Sequence, residues 1–474
     1  MPRRPRVPDA VPEPRVVIIG AGISGLACAF HLRERRVPFL LLERSDRVGG
    51  LIDSYQEAGF FFESGPQSFR LTPALNELIT AAGLGDSLLK ADPRAPRFIL
   101  HGGKLVPAPM SPARLFFTSL LDTRSVMHIL REPLGRTHPP LADETIAAFT
   151  RRKFGEQVLQ NFVAPFVSGI YAGDAEKLSM RASFPEVHEW ESRHGSVIRG
   201  AIKSMRAKPA AKDGQPRGLC TLKRGNASLA GGLGKLLEME LNLECSVASI
   251  APSDGQTPAR FDVVFEREGS LGTFSALAVV LATDAPHAAT LLHDVAPEFA
   301  PVLNSITYAP IAVVSLGYRK TALGAPLRGF GFLAPRSENV HTLGTVFNSS
   351  LFPGRAPSEH ALVTSFFGGT TEPQAVSWTD EHLVETAHAE LARVLRISGR
   401  PTVSRVTRYE RAIPQYNLGH LQKIARITES SRARPGIFLT GNYFSGPSLG
   451  SCAEHAAHVA SEVVALIKHQ QPKY

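Results

Sequence analysis

Three glycines with the spacing G-x-G-x-x-G follow the apolar run from Val16 to Ile19. In this spacing the first glycine permits a tight turn and the second lets a pyrophosphate approach the backbone. The third lets a helix pack closely on the strand. The amides and dipole at the helix start also attract phosphate. The turn therefore predicts dinucleotide binding, with contacts from Gly20, Gly22, Ile23, Ser24 and Gly25.

The elements that must hold this turn form a βαβ unit. The first run is β-branched and apolar, as expected for a buried parallel strand, and an Ala/Leu-rich helix follows it. The run from Pro38 to Leu42 gives the second strand, which ends at Glu43. A carboxylate about 20 residues after the last glycine accepts hydrogen bonds from a ribose, so Glu43 is a predicted ribose ligand.

A second glycine and arginine loop follows Glu43 directly. Its pattern is E-R-x-x-R-x-G-G, which gives Arg44, Gly49 and Gly50 as contacts for the phosphates and the ring system. This combination resembles the FAD-binding fingerprint of the flavin amine oxidase and desaturase superfamily. The sequence therefore predicts FAD rather than NAD.

Composition narrows the class of protein. The chain has 474 residues, of which 43% are hydrophobic and 20% charged, so we expect two or three folded domains. The net charge of +9 is dispersed, which argues against nucleic-acid binding. Four scattered cysteines indicate a reduced, cytoplasmic chain. We expect neither a signal peptide nor a membrane-spanning helix.

Nucleotide-binding character returns twice further along the chain. A short strand around Val247 is predicted to pass the adenine, and the run from Ala276 to Thr283 predicts a buried parallel strand. Near the carboxyl end, a strand enters a turn at Gly441, and a last helix is predicted from Ala453 to Lys468. Between these parts, residues 310–425 alternate strands with one helix and predict a separate antiparallel substrate domain.

Two segments, Pro107 to Leu134 and Ser196 to Lys208, alternate apolar and basic residues as amphipathic helices do. We expect most of their apolar side chains to pack inward, and contact with a membrane surface is the alternative.

No metal site is expected. His455 and His458 lie three residues apart, but without a carboxylate or cysteine at ligand spacing.

Several segments resemble the oxygen-dependent protoporphyrinogen oxidase family, from about Val16 to the last helix. The matching segments are Phe62-Glu63-Ser64-Gly65-Pro66 with Arg70, Asp143-Glu144-Thr145, Arg151 to Gly155, Val167 to Asp174, Gly329 to Leu333, and Ile413 to His420. The last of these is close to the I-P-Q-Y-x-x-G-H segment of that family.

The resemblance implies a six-electron oxidation of protoporphyrinogen IX to protoporphyrin IX in haem biosynthesis, with FAD as cofactor and dioxygen as acceptor. Implied substrate contacts are Arg70 for a propionate, with Gly169, Phe330, Leu333 and Phe366 around the rings. Gly65 and Pro66 join the expected FAD contacts. No residue in this set is an evident acid or base, so catalysis is expected to depend on orientation against FAD.

The implied fold is α/β, with a discontinuous Rossmann-like FAD-binding domain, an α+β substrate domain and a helical, membrane-facing domain. The expected division is a disordered lead at 1–14, FAD-binding parts at 15–95, 216–300 and 431–474, a helical domain at 96–215 and a substrate-binding domain at 301–430. Further expectations are peripheral attachment at the cytoplasmic face of a membrane, a homodimer and transfer of product to ferrochelatase.

One departure from the family pattern lies near the last helix. The family usually carries an Asp-Cys pair there, whereas this chain has Ser451 and Cys452, and we expect Ser451 to cap the helix and contact FAD. Three alternatives remain open: coproporphyrinogen III as substrate, an amine oxidase or carotenoid desaturase, and a non-enzymatic FAD-binding partner in a membrane complex. The segment from Asn442 to Gly446 lacks the tryptophan of an amine oxidase W-S-G turn.

Overall fold

The computed structural model describes residues 15–109, 114, 117–134, 143–207, 218–253 and 260–469. The predicted disordered lead, residues 1–14, lies outside these ranges. So does part of the predicted helix from Pro107 to Leu134, namely residues 110–113 and 115–116.

The strands of the described residues are numbered here in chain order. They are β1 (Val16–Ile19), β2 (Phe39–Leu42), β3 (Ser54–Glu57), β4 (Phe60–Glu63), β5 (Phe69–Arg70), β6 (Leu88–Lys90), β7 (Arg97–His101), β8 (Lys104–Pro107), β9 (Leu219–Leu222), β10 (Leu241–Asn242), β11 (Ser246–Pro252), β12 (Phe261–Arg267), β13 (Ser270–Ala276), β14 (Ala278–Leu281), β15 (Tyr308–Arg319), β16 (Gly331–Leu333), β17 (Gly344–Val346), β18 (His360–Gly368), β19 (Val403–Pro414) and β20 (Ile437–Leu439).

The α-helices of the same residues follow the same convention. They are α1 (Ile23–Glu34), α2 (Pro73–Ala81), α3 (Thr123–Arg131), α4 (Ile146–Phe154), α5 (Glu156–Val158), α6 (Ala164–Tyr171), α7 (Met180–Ser183), α8 (Pro185–His194), α9 (Val197–Ala207), α10 (Ala227–Leu236), α11 (Ala285–Leu291), α12 (Ala300–Asn304), α13 (Asn348–Leu351), α14 (Asp380–Leu395), α15 (His420–Ala433) and α16 (Leu449–His469).

A five-stranded parallel sheet with the order β10-β2-β1-β14-β20 forms the nucleotide-binding part. Its central strand β1 is buried on both faces. Val16 and Ile18 pack into the core that contains α1 and α16, while Val17 and Ile19 pack into the core on the opposite face. An apolar run without alternation is therefore what this position requires, and the predicted parallel strands are present.

A seven-stranded sheet with the order β19-β15-β18-β17-β16-β7-β8 forms the second large unit. It was predicted as antiparallel, but β16 pairs with β7 in parallel, so the sheet is mixed. The strands β7 and β8 come from residues that the sequence assigned to a helical domain beginning at 96. They form a hairpin that pairs with a strand more than 200 residues away in sequence, a partner that local patterning does not reveal.

Helices α3 to α9 form the helical region, and buried ion pairs join them. Arg152 and Lys153 both contact Glu191, whose side chain is fully buried. Arg152 also pairs with Glu144. Glu132 accepts hydrogen bonds from the amides of Val197 and Ile198 and so caps α9. The charged residues of the family-like segment around Arg152 thus hold helices together.

The last helix, α16, begins at Leu449, four residues before the predicted start at Ala453. The oxygen Oγ of Ser448 accepts a hydrogen bond from the amide of Ser451 at 3.1 Å. Ser448 therefore caps the helix, and the expectation that Ser451 does so is wrong. Ser451 lies in the first turn, and its hydroxyl contacts that of Ser448 at 2.8 Å.

Candidate active site

In the glycine turn after β1, packing leaves no room for a side chain at two positions, whereas a third position faces open space. A Cβ atom on Gly25 would lie 1.8 Å from the carbonyl oxygen of Gly20, and one on Gly20 would lie 2.8 Å from that of Ala282. Gly20 also has φ of +100°. A Cβ on Gly22, in contrast, would have no described atom within 4 Å. The space in front of Gly22 therefore suits a ligand phosphate, as the spacing predicted.

The start of α1 adds to this anion site. Gly22 is the N-cap residue, and among the described residues no side chain caps the helix there. The first amides of α1, at Ile23 and Ser24, are thus left for a ligand. This opening lies where the carboxyl ends of β1 and β14 adjoin, the position at which open α/β sheets bind nucleotides.

Glu43 is buried at the end of β2, and its carboxylate already has two protein donors. Oε2 accepts from the amide of Ala21 at 2.7 Å, and Oε1 accepts from the amide of Ser45 at 3.0 Å. The carboxylate therefore ties the second strand to the glycine turn. Since a carboxylate offers about four lone pairs, it can also accept from a ribose as predicted.

The loop after Glu43 folds back against the turn. The amide of Gly49 donates to the carbonyl of Ala21 at 2.8 Å, and a Cβ on Gly50 would lie 3.4 Å from the Cα of Gly22. The guanidinium of Arg47 donates to the carbonyls of Gly50 and Ile52, so it shapes this loop internally. Arg44 is exposed.

The turn at Gly65 and Pro66 rests on a buried polar network that the sequence did not reveal. A Cβ on Gly65 would lie 2.0 Å from the carbonyl oxygen of Leu51, so the turn touches the preceding loop. The side-chain Nδ2 of Asn226 donates to the carbonyl of Pro66 at 2.7 Å, and the backbone amide of Asn226 donates to the carboxylate of Glu63 at 3.1 Å.

Glu63 pairs with Arg355 at 3.1 Å, and both side chains are only 2% exposed. Burial raises the pKa of Glu63 to about 7, although Arg355 and the hydroxyl of Ser54 act in the opposite direction. Arg355 follows α13 in the substrate part of the chain, so this pair joins the two large units behind the Gly65 turn. The F-E-x-G-P segment was the available signal for Glu63, but nothing near Arg355 marks it as a partner.

Two further predicted FAD contacts lie on separate elements. The side chain of Val247 is buried in the core beside β2, so only its backbone remains for a nucleotide. Gly441 follows β20, where a Cβ would lie 2.8 Å from the ring of Tyr443. His455 of α16 stacks on Phe444 at 4.2 Å and contacts the hydroxyl of Thr440. Burial lowers the pKa of His455 to about 4, so this imidazole is neutral at neutral pH.

The predicted substrate residues Leu333 and Phe366 lie on one face of the seven-stranded sheet. Leu333 pairs with Gly344, and Gly344 pairs with Phe366, so the three form a row across β16, β17 and β18. Adjacent strands lie about 4.8 Å apart, which separates the two side chains by about 10 Å. Gly344 has no side chain, and Cδ2 of Leu333 lies over it, 3.3 Å from where a Cβ would be. The row therefore presents an aliphatic side chain beside an aromatic one, and we call this surface the slot.

Helix α6 covers one wall of this slot. A Cβ on Gly169 would lie 2.4 Å from Cδ2 of Leu333, so the helix approaches the sheet face as closely as glycine allows. Gly169, predicted as a substrate contact from a segment 164 residues earlier than Leu333, is thus next to it in the fold.

Phe330 lies in a neighbouring cluster rather than in this row. Gly329 and Gly331, with φ of +91° and +132°, flank it and break the strand alternation. It packs, like Leu219, against the buried cluster of Ala91, Leu351 and Phe352, and the guanidinium of Arg97 lies 5.5 Å from the ring centre.

Arg70 and Arg97 are cations near this cluster. Arg70 is exposed on β5 and pairs with Leu219 of β9, whose side chain packs in the cluster of Phe330. Arg97 begins β7 and was missed by sequence reasoning. Its only sequence signal is its position before the apolar run Phe98-Ile99-Leu100, and its proximity to Phe330 depends on the parallel pairing of β7 with β16.

Comparisons with known proteins show which family the chain belongs to. The family model of the flavin-containing amine oxidoreductases matches residues 23–464. The chain is 34% identical to protoporphyrinogen oxidase 1 of Spinacia oleracea chloroplasts, over 96% of this chain and 85% of that protein. It belongs to the protoporphyrinogen oxidase family.

Two other relatives of this family member extend the comparison. The coproporphyrinogen III oxidase of Bacillus subtilis is 27% identical over 95% of this chain and 98% of its own length. A crystal structure from Exiguobacterium sp. 255-15, provisionally assigned as a protoporphyrinogen oxidase, superimposes with a TM-score of 0.81 at 26% identity. It covers 97% of this chain and all of the other.

As a flavin-containing amine oxidoreductase, the chain is an FAD-dependent oxidase with the α/β fold of that family. The residues present fit FAD. The open space at Gly22 and the uncapped start of α1 suit the pyrophosphate, and the buried carboxylate of Glu43 suits the ribose. The close approach at Gly50 places the loop after Glu43 beside Gly22, and that at Gly65 places the next turn against Leu51. We call the surface formed by residues 16–50 the FAD groove.

Proposed function

We propose that the protein oxidises protoporphyrinogen IX to protoporphyrin IX and passes the electrons to dioxygen. The observation that carries this proposal is the slot between Leu333 and Phe366, covered by α6 at Gly169. A porphyrinogen is a broad, largely apolar ring system with carboxylate arms. An aliphatic and aromatic slot with arginines near one side matches that chemistry.

The side chains around the slot bind and orient, and none of them is an acid or base. Gly169, Leu333, Phe366 and Phe330 have no titratable group, and the guanidinium of Arg97 offers hydrogen-bond donors only. When bound, FAD supplies the two-electron acceptor, and three oxidations remove six electrons in all. The balance is protoporphyrinogen plus three dioxygen molecules, giving protoporphyrin and three hydrogen peroxide. The protein contributes orientation and the exclusion of water.

Coproporphyrinogen III is the second candidate substrate. The relative in Bacillus subtilis is named for it, and this substrate carries four carboxylates where protoporphyrinogen IX carries two. The observation that favours it is the presence of two arginines, Arg70 and Arg97, beside the cluster of Phe330.

Porphyrin fluorescence would decide between these substrates. Purified, FAD-loaded protein would receive each porphyrinogen under anaerobic conditions, followed by air, with an aliphatic amine as a third substrate. We expect protoporphyrin to form fastest. Faster oxidation of the tetracarboxylate would make coproporphyrinogen III the substrate, and turnover of the amine alone would refute both.

We also propose that the helical region touches a membrane surface on the cytoplasmic side. Apolar side chains are exposed on α3, on α9 and on the turn at residues 132–134 that follows α3. Helix α9 packs against this turn, so the exposed side chains can belong to one common surface. They are Met127, Leu130, Leu134, Ile202 and Met205. Exposed cations on the same helices include Arg124, Arg131 and Lys203. This mixture suits the boundary of an anionic bilayer. No described helix is long and apolar enough to cross one.

Sedimentation with vesicles tests this contact. Leu134 is 85% exposed, and Leu271 on the distant β13 is 70% exposed and serves as the matched control. Leu134→Glu should reduce binding to vesicles containing anionic lipid, whereas Leu271→Glu should not. Equal binding of both variants and the wild type would remove this face as the contact.

A further inference from the structure

The segment from Ile413 to His420 is close to the I-P-Q-Y-x-x-G-H segment of the family, and the groove and the slot described above give no role to Gln415 or Tyr416. It connects the end of β19 to α15. Its backbone runs against the helical region: the amide of Ser179 donates to the carbonyl of Tyr416 at 2.7 Å, and the amide of Leu418 donates to that of Lys177 at 3.0 Å.

On the substrate side, Gln415 reaches the end of α6. Its side chain is buried, and Nε2 donates to the carbonyl of Tyr171 at 2.8 Å and to that of Ile413 at 3.0 Å. Tyr171 is two residues from Gly169, the residue that lies on Leu333. A Cβ on Gly173 would lie 2.5 Å from Oε1 of Gln415, so the chain after α6 is packed directly on this amide.

On the FAD side, Tyr416 and His420 hold the turn that follows β20. The hydroxyl of Tyr416 donates to the carbonyl of Asn442 at 2.5 Å. Nε2 of His420 lies 2.9 Å from the carbonyl of Tyr443 and donates to it, since a carbonyl oxygen only accepts. The two rings stack at 4.2 Å. Burial lowers the pKa of His420 to about 4, so the ring is neutral and carries its proton on Nε2.

Asp143 fixes the far end of the segment. Its Oδ2 accepts from the amide of Gly419 at 3.0 Å, and its Oδ1 accepts from the hydroxyl of Ser179. Asp143 begins another of the family-like segments, and Tyr171 belongs to a third. Three segments that are distant in sequence therefore converge on one unit.

We propose that residues 413–420 form a strut that sets the distance between the FAD-side turn at Asn442 and the slot wall at Gly169. Gln415 and Tyr416 are the positioning residues, one for each side. The two residues are adjacent, and their polar side-chain contacts go to Tyr171 and to Asn442, so one short segment links both sides. The substrate half of this inference rests on the proposed function, while the FAD half rests on the family assignment alone.

The ring of Tyr416 also lies 5.9 Å from that of Tyr171, so only the polar contacts of the two side chains are divided between the two sides. Because the two variants below each remove one polar contact and keep the bulk of the side chain, they should have separable effects. Gln415→Met keeps the length of the side chain but removes the donor to Tyr171. It should raise KM for protoporphyrinogen, and the dissociation constant of protoporphyrin measured by fluorescence quenching, by about threefold to tenfold. The visible spectrum and affinity of FAD should not change.

Tyr416→Phe keeps the ring stacked on His420 but removes the bond to Asn442. It should shift the visible absorbance of bound FAD and weaken FAD binding about threefold, with KM close to that of the wild type. Leu418→Ala is the matched control, because Leu418 is 47% exposed and lies in the same segment. If Gln415→Met does not fold, Gln415→Glu replaces it as a near-isosteric change.

A change in KM alone for Gln415→Met, together with a change in the FAD spectrum and affinity alone for Tyr416→Phe, supports the strut. If KM, the FAD spectrum and the melting temperature all change together in both variants, the role is purely structural and the inference is refuted. It is also refuted if neither variant differs from Leu418→Ala in KM or in the FAD spectrum. If the wild type does not oxidise protoporphyrinogen, the proposed function fails, and the strut is then decided by FAD spectra alone. A spectral shift in Tyr416→Phe with none in Gln415→Met would still support it.

Discussion

The FAD groove and the substrate slot are built in different ways. The groove is made largely from the backbone of residues 16–50, with contacts between positions close in sequence, such as Gly20 with Gly25 and Ala21 with Glu43. The slot is made from residues that lie far apart in sequence, namely the side chains of Leu333 and Phe366 with the backbone of Gly169 against them. A backbone site is specified by glycine spacing, whereas a side-chain site exists only once strands and helices are assembled.

The substitution with the largest expected effect blocks the FAD groove and leaves the slot intact. Gly22→Val places a branched side chain where no described atom lies within 4 Å, so the chain should fold. The side chain occupies the phosphate position, and a clash of about 3 kcal/mol corresponds to a loss of FAD affinity of about a hundredfold. FAD titration by fluorescence measures this loss.

Gly231→Ala is the control for that loss, since Gly231 also has no described atom within 4 Å of a Cβ and lies in α10. Normal FAD affinity in Gly22→Val would mean that the pyrophosphate does not bind at this turn.

The substitution with the next largest expected effect disrupts the slot and leaves the FAD groove intact. In Gly169→Val the new Cβ would displace Leu333, from which it would be 2.4 Å away. We expect kcat/KM for protoporphyrinogen to fall about thirtyfold, as a packing cost of about 2 kcal/mol implies, while the FAD spectrum stays normal. Stopped-flow kinetics would measure the change.

The double variant of Gly169→Val with Leu333→Ala sharpens this result. Removing the side chain that clashes should recover part of the lost activity, so the two changes should be non-additive. Additive losses would mean that the two residues act in separate places.

A smaller effect distinguishes the two arginines beside the cluster of Phe330. Arg97→Met retains apolar contact with Phe330 but removes the charge, and Arg70→Met is the matched change at the exposed position. Loss of a charge-assisted bond to a carboxylate should raise KM about tenfold. We expect Arg97→Met to have the larger effect, because its guanidinium already lies over the ring of Phe330.

Esterified porphyrinogen, which has no carboxylate charge, is the control substrate for these variants. Its KM should be the same for both variants and the wild type. A tenfold rise with the ester as well would assign Arg97 to packing.

The smallest effect tests the buried pair between the two units. Burial raises the pKa of Glu63 from 4.5 to about 7, so the folded protein holds this proton more tightly than the unfolded chain. The resulting stabilisation is complete below a pH of about 4.5 and is lost as the pH rises through about 7. The melting temperature of the wild type should therefore fall relative to that of Glu63→Gln by about 1–2 °C between pH 5 and pH 8. A constant difference would refute the raised pKa.

The same comparison explains what the sequence could predict. The βαβ unit, the packing of Gly20 and Gly25 in its turn and the position of Glu43 follow from local spacing, and the structure agrees with them. The phosphate contact at Gly22 stays a prediction. The pairing of β7 with β16 depends on distant residues, so the strands after Pro96 were assigned to a helical region, and Arg97 was missed. Ser448 rather than Ser451 caps α16, because the helix begins earlier than its apolar pattern indicates.

The most direct measurement of the central claim is an anaerobic titration of the FAD-loaded protein with protoporphyrinogen IX. The claim is that the groove and the slot form one site in which the substrate lies against bound FAD. We predict that the visible absorbance of FAD bleaches as substrate is added, that Gly169→Val slows the bleaching without changing the starting spectrum, and that air restores the absorbance. FAD that remains oxidised in the wild type would contradict the claim.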